Sequence, residues 1–284
     1  MMLRRWSHPV AALSSLLLPL VMLPAGVRAA DSSAVAGKVA SPSAAATKVY
    51  RIMPLGDSIT RGGGEVRGTY LGYRTVLQAD LKAGATGFKD DFVGSMSDKG
   101  APDRNHEGHG GWTIDDLSVH IDAWMQTYRP DIVLLHAGTN NITVGDSPAL
   151  AAEKLQGLIA QIRAAGPDTL IFVAKVVFSR SPERQPVIGA YEALIPGVVA
   201  RAGAQVYLVD QSSVAGTDIY DHTHPNAFGY SKMAFNWYHG MRRVLDTTHT
   251  WRSVTNPYRA RTATICQIRY DLGGQRICGR RTVN

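Results

Sequence analysis

The stretch "RIMPLGDSIT", residues 51–60, passes from Ile52, Met53, Pro54 and Leu55 straight into Gly56-Asp57-Ser58. An apolar run without alternation reads as a strand buried on both faces, as in parallel sheets. A small polar triplet at its end is either a turn or the mouth of a sheet holding Ser58 as a nucleophile. Further runs of the same kind follow: "DFVGS" (91–95), "DIVLLHAG" (131–138), "TLIFVAKVVF" (169–178) and "AQVYLVD" (204–210).

Helical patterns fall between them. Residues 113–128 place Ile114, Leu117, Ile121, Trp124 and Tyr128 on one stripe, with Thr113 and Asp116 spaced as a capping box. Residues 148–165 open on Ser147-Pro148 and stop at Gly166-Pro167, and a last helix over 226–245 follows Pro225. This alternation predicts an α/β fold: a three-layer αβα sandwich around a parallel five-stranded sheet. Ligands of such sheets sit outside the carboxyl ends of the strands.

The composition, 45% hydrophobic and 19% charged, is that of a globular protein. Residues 1–30 carry +3 and residues 251–284 carry +6, so residues 31–250 carry −2 of the total +7. A nearly neutral body argues against a nucleic-acid partner. Arg4 and Arg5, the apolar run Val10 to Leu23 and the small residues near Ala29 make residues 1–30 a signal peptide and the protein a secreted one, with no membrane partner after cleavage. Residues 31–48, rich in Ala and Ser, read as a disordered linker. The catalytic domain is then 49–250 and the basic tail 251–284.

Four separated pieces converge at strand ends: Ser58, Gly108 in "HEGHGGWTID", Asn140 in "GTNN", and Asp221 with His224 in "DHTHPN". A serine hydroxyl needs a base to become a nucleophile, which is the part of His224. Asp221 holds the imidazole tautomer and steadies the imidazolium.

On these blocks the chain resembles the SGNH, or GDSL, hydrolase superfamily. "RIMPLGDSITRG", "GYR" (72–74), "DFVGS", "HEGHGGW", "PDIVLLHAGTN" and "DHTHPNAFGYSKMA" resemble carbohydrate esterase family 3, whose members deacetylate xylan. The resemblance spans residues 50 to about 240 and implies a flavodoxin-like SGNH fold and a secreted serine esterase with an acetylated polysaccharide as substrate. It implies no cofactor and no metal. By analogy the oxyanion hole is the Ser58 N–H, the Gly108 N–H and the Asn140 side-chain amide. Gly108 stands first in the G-x-x-G block, with Gly110, Gly111 and Gly94 as competitors.

Two positions depart from the family pattern: Asn141 stands where Asp is usual and His222 where a small residue is usual. Arg74, Tyr70 and Tyr73 either line the pocket or pack. The competing readings are a lysophospholipase or short-chain lipase-like GDSL esterase, a metal-dependent deacetylase using His106 and His109, and a silent carbohydrate-binding module. The tail predicts a hairpin. Two registers compete. A two-residue Gly273-Gly274 turn sets Cys266 opposite Arg281 and keeps the thiols apart. A three-residue loop, Asp271-Leu272-Gly273, sets Cys266 opposite Cys278 and puts glycine at the left-handed position. An exported chain favours the second and its disulfide. The hairpin is expected to stand apart from the catalytic domain.

Overall fold

The computed structural model describes residues 48–64 and 71–283. The signal peptide (1–30), residues 31–47 of the linker, and Tyr70 lie outside the described residues.

The chain alternates strand and helix as its apolar periodicity predicts. It runs β1 (Val49–Gly56), α1 (Ser58–Arg61), α2 (Gly72–Gly84), β2 (Lys89–Phe92), β3 (Met96–Ser97), β4 (Asn105–Gly108), α3 (Ile114–Tyr128), β5 (Ile132–His136), α4 (Thr139–Val144), α5 (Pro148–Ala165), β6 (Leu170–Ala174), α6 (Gln185–Ala202), β7 (Val206–Val209) and α7 (Ala227–Leu245). A hairpin of β8 (Thr262–Arg269) and β9 (Gln275–Thr282) closes it.

The sheet order is β3-β4-β1-β5-β6-β7, parallel except for β3. The second column is built from two segments. β2 pairs with Val49–Ile52 of β1, and β4 pairs with Leu55 and Gly56. Pro54 has no N–H to donate, which ordinarily bars proline from a central strand. Here the even-numbered residues of β1 face this column, since the Ile52 carbonyl accepts from Val93 and the Gly56 carbonyl from His109. Pro54 therefore meets the gap between β2 and β4.

Successive β1 residues serve opposite faces. Met53 and Leu55 join a core with α3, α5 and α6, while Ile52 joins one with α2 and α7. A β-strand buries both faces only when helices cover both, and this is why β1 reads as continuous apolar sequence.

The hairpin has the predicted register, Cys266 opposite Cys278, with Gly273 left-handed at φ 72°. The two cysteines form a disulfide. The expectation that the tail stands apart is corrected: the Ile268 N–H donates to the Tyr220 carbonyl at 2.6 Å, and Arg252 N–H to the Gly84 carbonyl at 2.8 Å. The tail thus reaches backbone carbonyls of the body at two points, while the β8–β9 ladder satisfies most of the hairpin's own hydrogen bonds.

Candidate active site

β1 and β5 come together at Gly56, where an ideal Cβ would stand 2.1 Å from the His136 carbonyl oxygen, so a side chain is excluded. Asp57 follows as the cap of α1, its Oδ1 accepting from the Ile59 N–H at 2.9 Å. Burial pushes its carboxyl up to about 6, against that hydrogen bond and the charge of His224. Ser58 is the first residue of α1. Arg74, 0% exposed, reaches beneath this helix. Its Nε donates to the Thr60 carbonyl at 3.0 Å and its Nη2 to the Arg61 carbonyl at 2.9 Å. The same guanidinium pairs with Asp98 at 3.2 Å. Arg74 thus packs rather than lining the cavity, and it clamps the turn that carries Ser58.

Asp221 and His224 lie in the loop before α7. Asp221 Oδ1 accepts from the N–H groups of Thr223 and His224, both at 2.7 Å. Asp221 Oδ2 lies 2.9 Å from His224 Nδ1, and His224 Nε2 lies 2.8 Å from Ser58 Oγ. An ionised Asp221 can only accept, so Nδ1 carries the proton and Nε2 is left to accept from the Ser58 hydroxyl. Burial opposes ionisation of Asp221, but the hydrogen bonds from His224 and the charge on its ring outweigh it and hold the carboxyl at about 2. For His224, burial pulls the other way, and the hydrogen bond and charge of Asp221 win, raising the imidazole above its ordinary value. Gly63 gives the ring room: a Cβ there would stand 2.9 Å from His224 Cδ2. The glycine run after "GDSITR" is the sequence signal of this approach.

These residues open onto a cavity of about 670 Å³ lined by Ser58, Asn140, Asp221 and His224, with Gly63, Gly110, Gly111, Thr143 and Arg184 among the others. Asn140 lies on its wall. One amide hydrogen donates to the Trp112 carbonyl at 2.8 Å, which leaves the second for a ligand.

Gly108 is not among the residues that line the cavity. Its N–H donates to His106 Nδ1 at 2.9 Å, and it lies against α1, where a Cβ would stand 2.4 Å from the Arg61 nitrogen. Gly110 lies beside Ser58, its ideal Cβ position 4.0 Å from Ser58 Cβ. Among the described residues, the N–H groups of Ser58 and Gly110 are taken up by no backbone carbonyl of the turns and loops.

The candidate metal ligands diverge. His106 Nε2 faces Asp98 Oδ2 at 2.7 Å, and burial together with the charge of Arg74 pulls its imidazole down to about 3. His109 pairs with Glu107 at 2.8 Å and stacks on Trp112 and Trp124. Among the described residues no group of three His, Cys, Asp or Glu is arranged to hold a metal ion. Asn141 is fully buried. It accepts from the Ile114 N–H at 2.8 Å and donates to Asp146 at 2.8 Å and to Asp115 at 3.2 Å. An aspartate could not donate to either carboxylate, which accounts for the amide here.

A family model described as GDSL-like Lipase/Acylhydrolase family matches residues 55–232. The chain belongs to this family. A solved family 3 carbohydrate esterase of Clostridium thermocellum is 37% identical, with a TM-score of 0.62, covering 71% of this chain and 99% of its own. A family 3 carbohydrate esterase from Talaromyces cellulolyticus is 27% identical, with a TM-score of 0.59, covering 69% and 98%. A multidomain esterase of Ruminococcus flavefaciens is 30% identical over 225 residues, 69% of this chain and 28% of the relative. The chain spans 28% to 56% of the length of the curated relatives it matches.

Proposed function

We propose that the chain is a serine esterase that removes O-acetyl groups from plant cell-wall polysaccharide, with acetyl xylan as the substrate class. The observation that carries this reading is the unbroken line from Asp221 through His224 to Ser58, with contacts of 2.9 and 2.8 Å, lining a cavity of mostly polar residues.

Ser58 Oγ attacks the acetyl carbonyl carbon while His224 Nε2 takes its proton. The tetrahedral oxyanion is received by the N–H groups of Ser58 and Gly110 and by the Asn140 amide. His224 returns the proton to the departing sugar oxygen, leaving acetyl-Ser58. Water activated by the same base then releases acetate. Asp221 stays ionised throughout, because its carboxyl titrates near 2.

The cavity supports a short acyl group and a hydroxyl-rich alcohol. Among the described residues that line it, Ile268 is the one aliphatic side chain, and a fatty chain needs a long apolar trench. The family 3 carbohydrate esterases among the relatives support the saccharide. Export is supported by the disulfide, which persists in oxidising surroundings, and among the described residues no helix is long and apolar enough to cross a membrane.

Acetate release from acetylated xylan, pectin, mannan and chitin oligomers, measured beside p-nitrophenyl esters of rising chain length, tests the reading. Release from acetyl xylan and preference for acetyl over octanoyl esters are expected. Preference for long acyl chains would move the chain to the lipase-like class.

A further inference from the structure

Residues 262–282 lie beyond the family match, which ends at 232, yet they build one wall of the cavity. Ile268 and Tyr270 line it together with Ser58, Asn140 and His224. The hairpin is fastened to the loop that carries Asp221 and His224. The Gln267 amide donates to the carbonyls of Gly216 and Ile219 at 3.2 and 2.9 Å, and the Asn226 amide to the Cys266 carbonyl at 3.2 Å. Arg180 Nη1 lies 3.4 Å from the carbonyl oxygens of both Asp221 and Ile268, joining the two segments through one guanidinium.

Tyr270 sits where β8 turns. Its ring stacks on His222 with centroids 3.8 Å apart and planes 12° from parallel, and the residue stays 47% exposed. His222 is the neighbour of Asp221, so the pair stands directly beside the proposed triad. The hairpin contributes a second constraint: the Cys266–Cys278 bridge closes the strands that present Tyr270. An aromatic ring held flat by a second ring, half open and at the edge of a polar cavity, suits the C–H face of a pyranose. The neighbouring Thr143, Thr223 and Arg184 suit hydroxyls. A bare acyl chain would gain nothing from those polar groups.

We propose that the C-terminal hairpin is a substrate-binding element, in which Tyr270 backed by His222 holds the sugar ring adjoining the acetylated one. The proposal rests on the saccharide-esterase reading above. It makes Tyr270 a specificity-determining residue that acts on polymeric substrates through KM.

The test is the ratio of kcat/KM on acetylated xylo-oligosaccharides to kcat/KM on p-nitrophenyl acetate, for the full chain and for Tyr270→Ala and Tyr270→Phe. Tyr270→Ala is expected to lower the ratio about five- to tenfold, the scale of one aromatic contact, with the change in the saccharide KM. Tyr270→Phe keeps the ring and is expected to keep the ratio. An unchanged ratio in Tyr270→Ala would overturn the subsite, as would an equal fall of both substrates or an equal fall in Tyr270→Phe. Wild-type protein that cleaves p-nitrophenyl acetate but no acetylated oligosaccharide would overturn the saccharide reading itself, a failure visible before any variant is made.

Discussion

Asp221→Asn removes a charge while keeping the shape, and the structure dictates which way the new amide must face. Oδ1 of Asp221 receives two backbone N–H groups at 2.7 Å, from Thr223 and His224. An amide turned with its NH₂ toward them would lose both hydrogen bonds, each worth about 0.5–1.5 kcal/mol net, and set donor against donor. The amide oxygen therefore stays on the N–H pair and the NH₂ faces His224 Nδ1. That nitrogen must then accept, so the ring proton moves to Nε2, which points at Ser58 Oγ 2.8 Å away. The base is lost in its resting form. The same substitution in a serine-protease triad lowers kcat about 10⁴-fold, or about 5.5 kcal/mol of activation free energy, and that is the magnitude expected here.

A second signature is independent of the first. In the wild type, Asp221 raises the His224 pKa, and the neutral base exists only above that value. The acid limb of kcat/KM should lie above the ordinary imidazole 6.5. In Asp221→Asn the raising contacts from Asp221 are gone and burial, which favours the neutral ring, dominates, so the limb should move to lower pH. The assay is kcat/KM for p-nitrophenyl acetate against pH, with circular dichroism to verify the fold. A folded variant within tenfold of wild type, or an unmoved acid limb, would refute the reasoning.

Asn140→Ala is expected to lower kcat about 10²–10³-fold with little change in KM, because its free amide hydrogen meets charge present only in the transition state; steady-state kinetics decide this, and a pure KM effect would make Asn140 a ground-state contact. Arg74→Leu leaves the carbonyls of Thr60 and Arg61 and the Asp98 carboxylate without this partner beneath the nucleophile turn. It should destabilise the fold by about 3–5 kcal/mol, read by denaturant titration, and lower kcat as α1 shifts.

Much of the fold was legible because burial on both faces writes itself into sequence. β1, β5 and the stripe of α3 read directly from apolar runs and the Thr113–Asp116 box, which the structure closes as a capping box. The expected strand 169–178 stops at Ala174, because its neighbour β7 pairs with it only as far as Val209. α6 carries Pro186, Pro196, Gly189 and Gly197 and hides from propensity; packing of Ile188, Tyr191, Ile195 and Val198 into the core sustains it instead.

In the candidate site, Ser58, Asn140, Asp221 and His224 stood out as small blocks at strand ends. Gly108 and Gly110 look alike in "GHGG", and what separates them is a ring nitrogen of His106 that consumes one N–H. The docking of the tail was equally hidden. The hairpin docks largely onto backbone carbonyls such as those of Tyr220 and Gly216, which leave no residue signature, while Trp251 before it is buried against Phe88 and Tyr238.

The claim on which the rest depends is that Ser58 is the nucleophile. Mass spectrometry of the digested protein after reaction with a serine-directed phosphonate, with esterase activity followed in the same samples, tests it most directly. A single adduct on the peptide carrying Ser58, rising in step with the loss of activity and absent from a folded and inactive Ser58→Ala protein, is the predicted result. An adduct elsewhere, or activity that survives full modification of Ser58, would contradict it.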